Sequence, residues 1–240
     1  MLRKNTIKVA ISVLILFAGI LSAQDKSPEP VQKTSKIELI KTEVFKHTDV
    51  GNPAIGGTVS VTDGGFDITA GGADVWGAKD EFNFVYIEKT GDFDFAARIE
   101  SLTAVHLYTK AGLMAREDMT PGSRHIYFQI FPDNNPRNKN NGGFEYQYRQ
   151  QTGGEMKAIY PARFDGTPDF PVTFPNTWIR LRRVGNKFTG YSSTDGKSWK
   201  EYASFTLGLP EKVYLGAAVT SHKTTEFTTA RFRDICNIIK

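Results

Sequence analysis

Cysteine is almost missing from this chain: Cys236 is the only one in 240 residues. An intramolecular disulfide is therefore excluded, and stability must come from a packed core. Within "RFRDICNII", Cys236 reads as an apolar position in a last strand, with no histidine near it in sequence to activate the thiol. The four histidines (His47, His106, His125 and His222) are scattered, without metal-ligand spacing. Charge of one sign is not in excess either. Three of the 30 lysines and arginines fall within residues 1–23, which leaves 27 against 26 acidic residues. So even a balance argues against a nucleic-acid-binding role, which needs a basic surface. Helical periodicity is lacking too, and after residue 21 no run is apolar enough to span a bilayer.

What is present begins with an address. Arg3, Lys4 and Lys8 precede the apolar run "VAISVLILFAGIL" (9–21), and "LSA" (21–23) supplies small residues for cleavage. This is the layout of a secretory signal peptide; the run is short for the alternative, an uncleaved anchor. No cysteine follows it for lipid attachment. The expectation is a secreted or periplasmic protein with a signal peptide (1–23), a polar, proline-containing leader (24–36) and one domain (37–240).

From Ile37 onward, short alternating runs are separated by Gly, Asn, Asp and Pro clusters. They include "EFNFVYIEK" (81–89), "KAGLMARED" (110–118), "HIYFQIFP" (125–132), "FEYQYRQQ" (144–151), "TWIRLRRV" (177–184) and "VYLGAAVTS" (213–221). More than ten such runs predict an all-β sandwich or barrel. "PDNNPRNKNNGG" (132–143) is the long solvated loop. In "YSSTDGKSWKEY" (191–202), Asp195-Gly196 suits a two-residue hairpin turn with positive φ at both central residues. Pairing outward from that turn lays the Trp199 indole over Gly190. The same stretch is similar to the aspartate box of sialidases, a fold-stabilising turn remote from catalysis, but with one residue fewer between Asp and Gly.

In order, "GGADVWGAKDEFNFVYIEKTGDFDFAARIESL" (71–102), "KAGLMARED", "WIRLRRVGNKFTGYSSTDGKSW" (178–199) and "VYLGAAVTSH" (213–222) resemble a bacterial secreted family of the concanavalin A-like lectin/glucanase superfamily. That family has no established function and carries the label "regulation of enolase protein". The resemblance spans roughly Ile55 to Ile235, and departs from the family in the 132–143 insertion and in an enlarged segment at 161–176. It implies a jelly-roll β-sandwich of two curved antiparallel sheets, of a kind that accompanies polysaccharide-degrading or adhesive modules.

No strand carries the Glu-x-Asp-x-(x)-Glu spacing of the superfamily's retaining glucanases, whose paired carboxyls act as nucleophile and acid. Polar residues at alternating positions are more informative. Arg116 shares a strand face with Gly112 and Met114; Tyr127 and Gln129 share one with His125; Glu145, Gln147 and Arg149 share another. If these strands are neighbours, their polar members floor a concave groove that binds a sugar or glycosylated surface; otherwise they form a plain outer face. In "GGADVWGAKDEF" (71–82), Asp74 and Asp80 either offer oxygen to Ca2+ or organise the turn, and Trp76 either stacks on a ligand or packs. The expected protein is a non-catalytic carbohydrate-binding module without a cofactor. The alternatives are a glycoside hydrolase or lyase using a pair such as Glu117 and Glu145, and a structural or protein-interaction module.

Overall fold

Alternating apolar and polar side chains suit a pleated strand with one face on a core, and strands dominate the computed structural model. It describes residues 36–135, 137, 143–160 and 169–239. The signal segment, the leader up to residue 35, and residues 136, 138–142, 161–168 and 240 lie outside the described residues; Lys36, assigned to the leader, opens the first strand.

The strands, in chain order, are β1 (Lys36–Leu39), β2 (Lys46–Val50), β3 (Thr58–Thr62), β4 (Gly65–Ala70), β5 (Val75–Trp76), β6 (Lys79–Asp80), β7 (Phe82–Thr90), β8 (Phe93–Leu102), β9 (Lys110–Arg116), β10 (His125–Ile130), β11 (Phe144–Arg149), β12 (Met156–Ile159), β13 (Thr177–Val184), β14 (Lys187–Ser193), β15 (Lys200–Thr206), β16 (Lys212–Thr220) and β17 (Thr228–Ile239). A 3-10 turn at Thr42–Val44 is the one helical element among the described residues, so none of these could cross a membrane as a helix.

Two large antiparallel sheets face each other as a jelly-roll β-sandwich of the concanavalin A-like kind. One runs β15-β14-β13-β8-β17-β4-β3, with β1 added on β17; the other runs β12-β11-β10-β9-β16-β7-β2. Phe95, Ile99, Leu113, Phe128, Leu181 and Phe232 are among the buried side chains that fill the space between them. The β5–β6 hairpin stands apart from both sheets.

Every residue of β9 and β10 is buried. A sandwich strand ordinarily buries one face against the opposite sheet and leaves the other wet. Here part of the second face is roofed. Val75 of the hairpin packs with Phe82, Phe84, Met114 and Tyr127 in a second apolar cluster on the far side of this sheet.

The 191–202 stretch departs from its expected form. Only Gly196 has positive φ, and residues 194–199 form a longer loop wrapped around one carboxylate. Asp195 accepts hydrogen bonds from the Lys197 and Ser198 amides (2.8 and 2.7 Å) and from the Ser198 hydroxyl (3.0 Å). A short polar side chain that can bond its own turn here outcompetes the hairpin geometry. These amides hold the Asp195 pKa well below the usual carboxylate range. The strands are also offset by a bulge at Gly190/Tyr191. Gly190 therefore lies against Phe128 and Tyr146, not under Trp199, whose indole meets Trp178 edge to face. Cys236 is fully buried beside Ala96 and Ile238, and burial pushes its thiol up to about 12.

Candidate functional site

Strand register brings the expected polar residues together. Across β10 and β11, His125 pairs with Arg149, Tyr127 with Gln147 and Gln129 with Glu145; across β9 and β10, Arg116 pairs with His125 and Met114 with Tyr127. All lie on the face of this sheet that is turned away from the inter-sheet core. The roof then divides them into two groups.

Under the roof, Arg116, Tyr127 and Arg149 are inaccessible to solvent, which corrects their assignment to the groove floor. Arg149 forms a two-pronged pair with Asp80 (2.6 and 2.7 Å) and donates to the Gly77 carbonyl (2.9 Å), bolting the hairpin to the sheet. Arg116 lies 3.6 Å from the same carboxylate, not on Glu117 or Glu145, and donates to the Asp118 and Thr120 carbonyls. Its burial lowers its pKa to about 10. His125 sits 3.7 Å from Asp80; burial drops its pKa to about 4, which leaves it neutral. The Tyr127 hydroxyl donates to the Ala218 carbonyl (2.9 Å), and burial raises its pKa well above the usual phenol range. Two guanidinium groups around one carboxylate, with their other contacts made to backbone carbonyls, the Met114 sulfur and the His125 ring, make a structural fastening.

Beside the roof lies an open cavity of about 820 Å3, at the upper end of the roughly 300–1,000 Å3 range of small-molecule pockets. Glu145, Gln147 and Lys110 form its floor, Trp76 and Asp74 come from the hairpin side, His106, Tyr108 and His222 from two loops, and Lys157 and Tyr160 from the β12 side. Trp76 keeps 41% of its surface exposed while lining the cavity. Gln129 is fully buried next to Glu145 and reaches it through its amide at 3.5 Å.

Asp74 is not free to bind calcium. Its carboxylate accepts a hydrogen bond from Lys110, is 3.0 Å from His222 Nε2, and caps its own turn through the Val75 amide (2.7 Å). Burial alone would raise its pKa; His222 and Lys110 together outweigh that and hold it below the usual carboxylate range. Asp80 is equally occupied, by the arginines. Among the described residues no cluster of three His, Cys, Asp or Glu side chains could hold a metal.

His106 and His222, 116 positions apart in the chain, stack face to face with ring centroids 4.3 Å apart and planes within 3°. Burial, aided by the charges of His222, Lys223 and Lys110, keeps the His106 pKa below the usual imidazole range. His222 adopts the left-handed backbone region (φ 61°) just beyond β16, held there by Ser221, whose hydroxyl accepts from the Lys223 amide (3.1 Å) and donates to its carbonyl (2.7 Å). Sequence spacing gives no signal for this meeting of two loops.

Glu145 is only 2% exposed. Burial pushes its carboxyl above the usual range, against the lowering effects of Lys110, Gln147 and Tyr160. Glu117, its partner in the suggested acid pair, is instead held by Arg124 (2.6 and 2.9 Å) and does not line the cavity. The carboxylate that does share the cavity with Glu145 is Asp74.

No family model and no curated protein matches the sequence, and the enolase-regulation label is not supported. Solved structures do match the fold. A functionally unknown protein from Saccharomyces cerevisiae is similar over 84% of this chain and 99% of its own (TM-score 0.62, 14% identity). The carbohydrate-binding module CBM66 from Bacillus subtilis is similar over 80% and 94% (0.50, 13%), and an alginate lyase from Klebsiella pneumoniae over 84% and 97% (0.50, 10%). The shared feature is the concanavalin A-like sandwich. At these identities the likeness is one of fold.

Proposed function

We propose that this protein binds carbohydrate through the cavity on its seven-stranded sheet, and that it does so outside the cytoplasm, as the N-terminal apolar run predicts. The observation that carries this reading is the pairing of a half-exposed indole, Trp76, with buried hydrogen-bonding groups, Glu145 and Gln147, across one cavity of about 820 Å3. Sugars need both. Their C–H faces pack on aromatic rings, and their hydroxyls require fixed, desolvated hydrogen-bond partners. The fold likeness to a carbohydrate-binding module and a polysaccharide lyase adds support without assigning a ligand.

Retention of the protein on a panel of immobilised polysaccharides, compared with Trp76→Ala, tests the reading. Retention that the substitution abolishes supports it; failure to bind any glycan, with the fold intact, ends it.

A catalytic reading is favoured by one observation. The two carboxyls lining the cavity are pushed in opposite directions, Glu145 up and Asp74 down. Such a division suits an acid and a base in one site. Release of reducing sugar or unsaturated product from the same panel, lost in Glu145→Gln, would establish a hydrolase or lyase.

A further inference from the structure

We propose that protonation of His106 opens one wall of the cavity, so that a ligand held there at neutral pH is released in acid. The inference rests on the carbohydrate-binding reading above and adds its regulation. Two short segments build this wall, 103–109 between β8 and β9 and 221–227 between β16 and β17. They are joined where the Thr109 hydroxyl donates to the Ser221 carbonyl (2.9 Å) and where His106 stacks on His222. Within the first segment, the Thr109 hydroxyl oxygen accepts the His106 amide (3.0 Å), and the Thr109 amide donates to the His106 carbonyl (3.1 Å). The remaining bond is the sensitive one: the His106 ring accepts the Tyr108 amide at Nδ1 (3.1 Å). A backbone N–H can only donate. Nδ1 therefore carries no proton, and the ring is the neutral tautomer with its hydrogen on Nε2.

A proton gained by His106 has one place to go, Nδ1. There it would face the Tyr108 N–H, donor against donor, and it would set a positive ring 4.3 Å from His222. His222 has a carboxylate of its own, since Asp74 lies 3.0 Å from its Nε2. His106 has none at that range among the described residues. The charged groups that face it are His222 and Lys223 from the second segment, Lys110 from β9 and, with the weakest effect, Asp74 beside the β5–β6 hairpin. Burial first, and then these cations, keep its pKa below the usual imidazole range. The neutral ring is thus the form present at neutral pH, and the change falls on the acid side. With two donors opposed, either the ring swings out of the stack or the Tyr108 peptide turns away. Both movements take lining from the cavity, because His106, Tyr108 and His222 all contribute to it.

The test compares the wild type with His106→Asn and His106→Phe in two arms. Asparagine accepts the amide two residues on, as in an Asx turn, and cannot be protonated. Phenylalanine keeps a ring for the stack and has no acceptor. The first arm needs no ligand: NMR follows the His106 ring and the Tyr108 amide from about pH 7.5 to about pH 5. As the ring titrates, the Tyr108 amide should shift and lose its protection, corrected for the pH dependence of intrinsic exchange. It should stay protected throughout in His106→Asn and be unprotected throughout in His106→Phe. A Tyr108 amide that stays protected while His106 titrates overturns the proposal. The second arm titrates a glycan retained by the panel into the same proteins at both pH values. Wild-type affinity should be about tenfold lower in acid, the scale of one lost hydrogen bond with its donor stranded. In His106→Asn it should be unchanged. A loss in acid that persists in His106→Asn would belong to Glu145 or Asp74 and would overturn the assignment to His106. If no glycan binds, the carbohydrate reading falls, and the first arm still decides whether the wall answers to His106.

Discussion

Asp80 and Arg149 face each other through two hydrogen bonds of 2.6 and 2.7 Å, with no solvent access to either side chain. Their pairing joins the β5–β6 hairpin to β11, the second strand of the seven-stranded sheet. Removing one partner strands the other charge in the interior. Asp80→Ala should therefore destabilise the fold by about 3–5 kcal/mol, measured by urea denaturation. A loss below about 1 kcal/mol would mean that the arginines find water or another carboxylate.

Trp76 sits at the rim of the cavity and is 41% exposed, so its replacement should separate stability from binding. Trp76→Ala is expected to change unfolding free energy by no more than about 0.5 kcal/mol, as for ordinary surface positions. Affinity for a retained glycan should fall by about 1–2 kcal/mol, roughly tenfold, the range of an aromatic anchor. Titration of both proteins with the same glycan decides it.

Glu145 offers a pH-resolved prediction. Its folded-state pKa is raised by burial, so the folded protein holds this proton more tightly than the unfolded chain does. Stability linked to Glu145 is therefore full below the unfolded value and is lost as pH rises through the folded one. Glu145→Gln should raise Tm by a few degrees at neutral pH, and the gain should shrink in acid, where the wild-type carboxyl is already protonated. Thermal melts across acid and neutral pH would show it; a gain that persists unchanged in acid would contradict it. A group that destabilises the fold yet floors its main cavity fits a site where function outweighs stability.

The Asp195 loop should behave in the opposite way. Its carboxylate is held below the usual range by backbone amides, so its contribution is present above the unfolded pKa and is lost as pH falls through the folded one. Asp195→Ala should lower Tm at neutral pH while leaving glycan retention intact, because the loop belongs to the other sheet. Impaired binding in a folded Asp195→Ala protein would point to a ligand contact on that sheet.

Cys236 should resist labelling. With the side chain buried and its thiol pushed up to about 12, little thiolate is present at neutral pH. A thiol reagent should modify the native protein slowly and the urea-unfolded protein at once. Rapid labelling of the native state would show that β17 opens locally.

Strand positions were largely legible in the sequence, because period-two alternation survives in each run; β10 and β11 match "HIYFQIFP" and "FEYQYRQQ" within two residues. Alternation also placed Gln129, Glu145 and Gln147 on one face with Arg116, Tyr127 and Arg149. It could not divide that face into roofed and open parts, since the roof is a hairpin from residues 75–80, remote along the chain. Nor could it bring His106 to His222 or seat Asp74 on Lys110, because those meetings depend on where two loops leave the sheet. The β5–β6 hairpin left little trace, as strands of two residues are too short for a period. At Asp195, turn chemistry was read correctly as a turn and wrongly as a tight one, because side-chain hydrogen bonds favoured a wider loop.

The roofing hairpin has one consequence for how this molecule could diversify. Arg149 holds its turn through the Gly77 carbonyl and its last residue through Asp80, and Arg149 belongs to β11, the strand that also carries Glu145 and Gln147 to the cavity. Trp76 and the polar floor thus hang from one strand. A change in β11 that shifts one would carry the other with it.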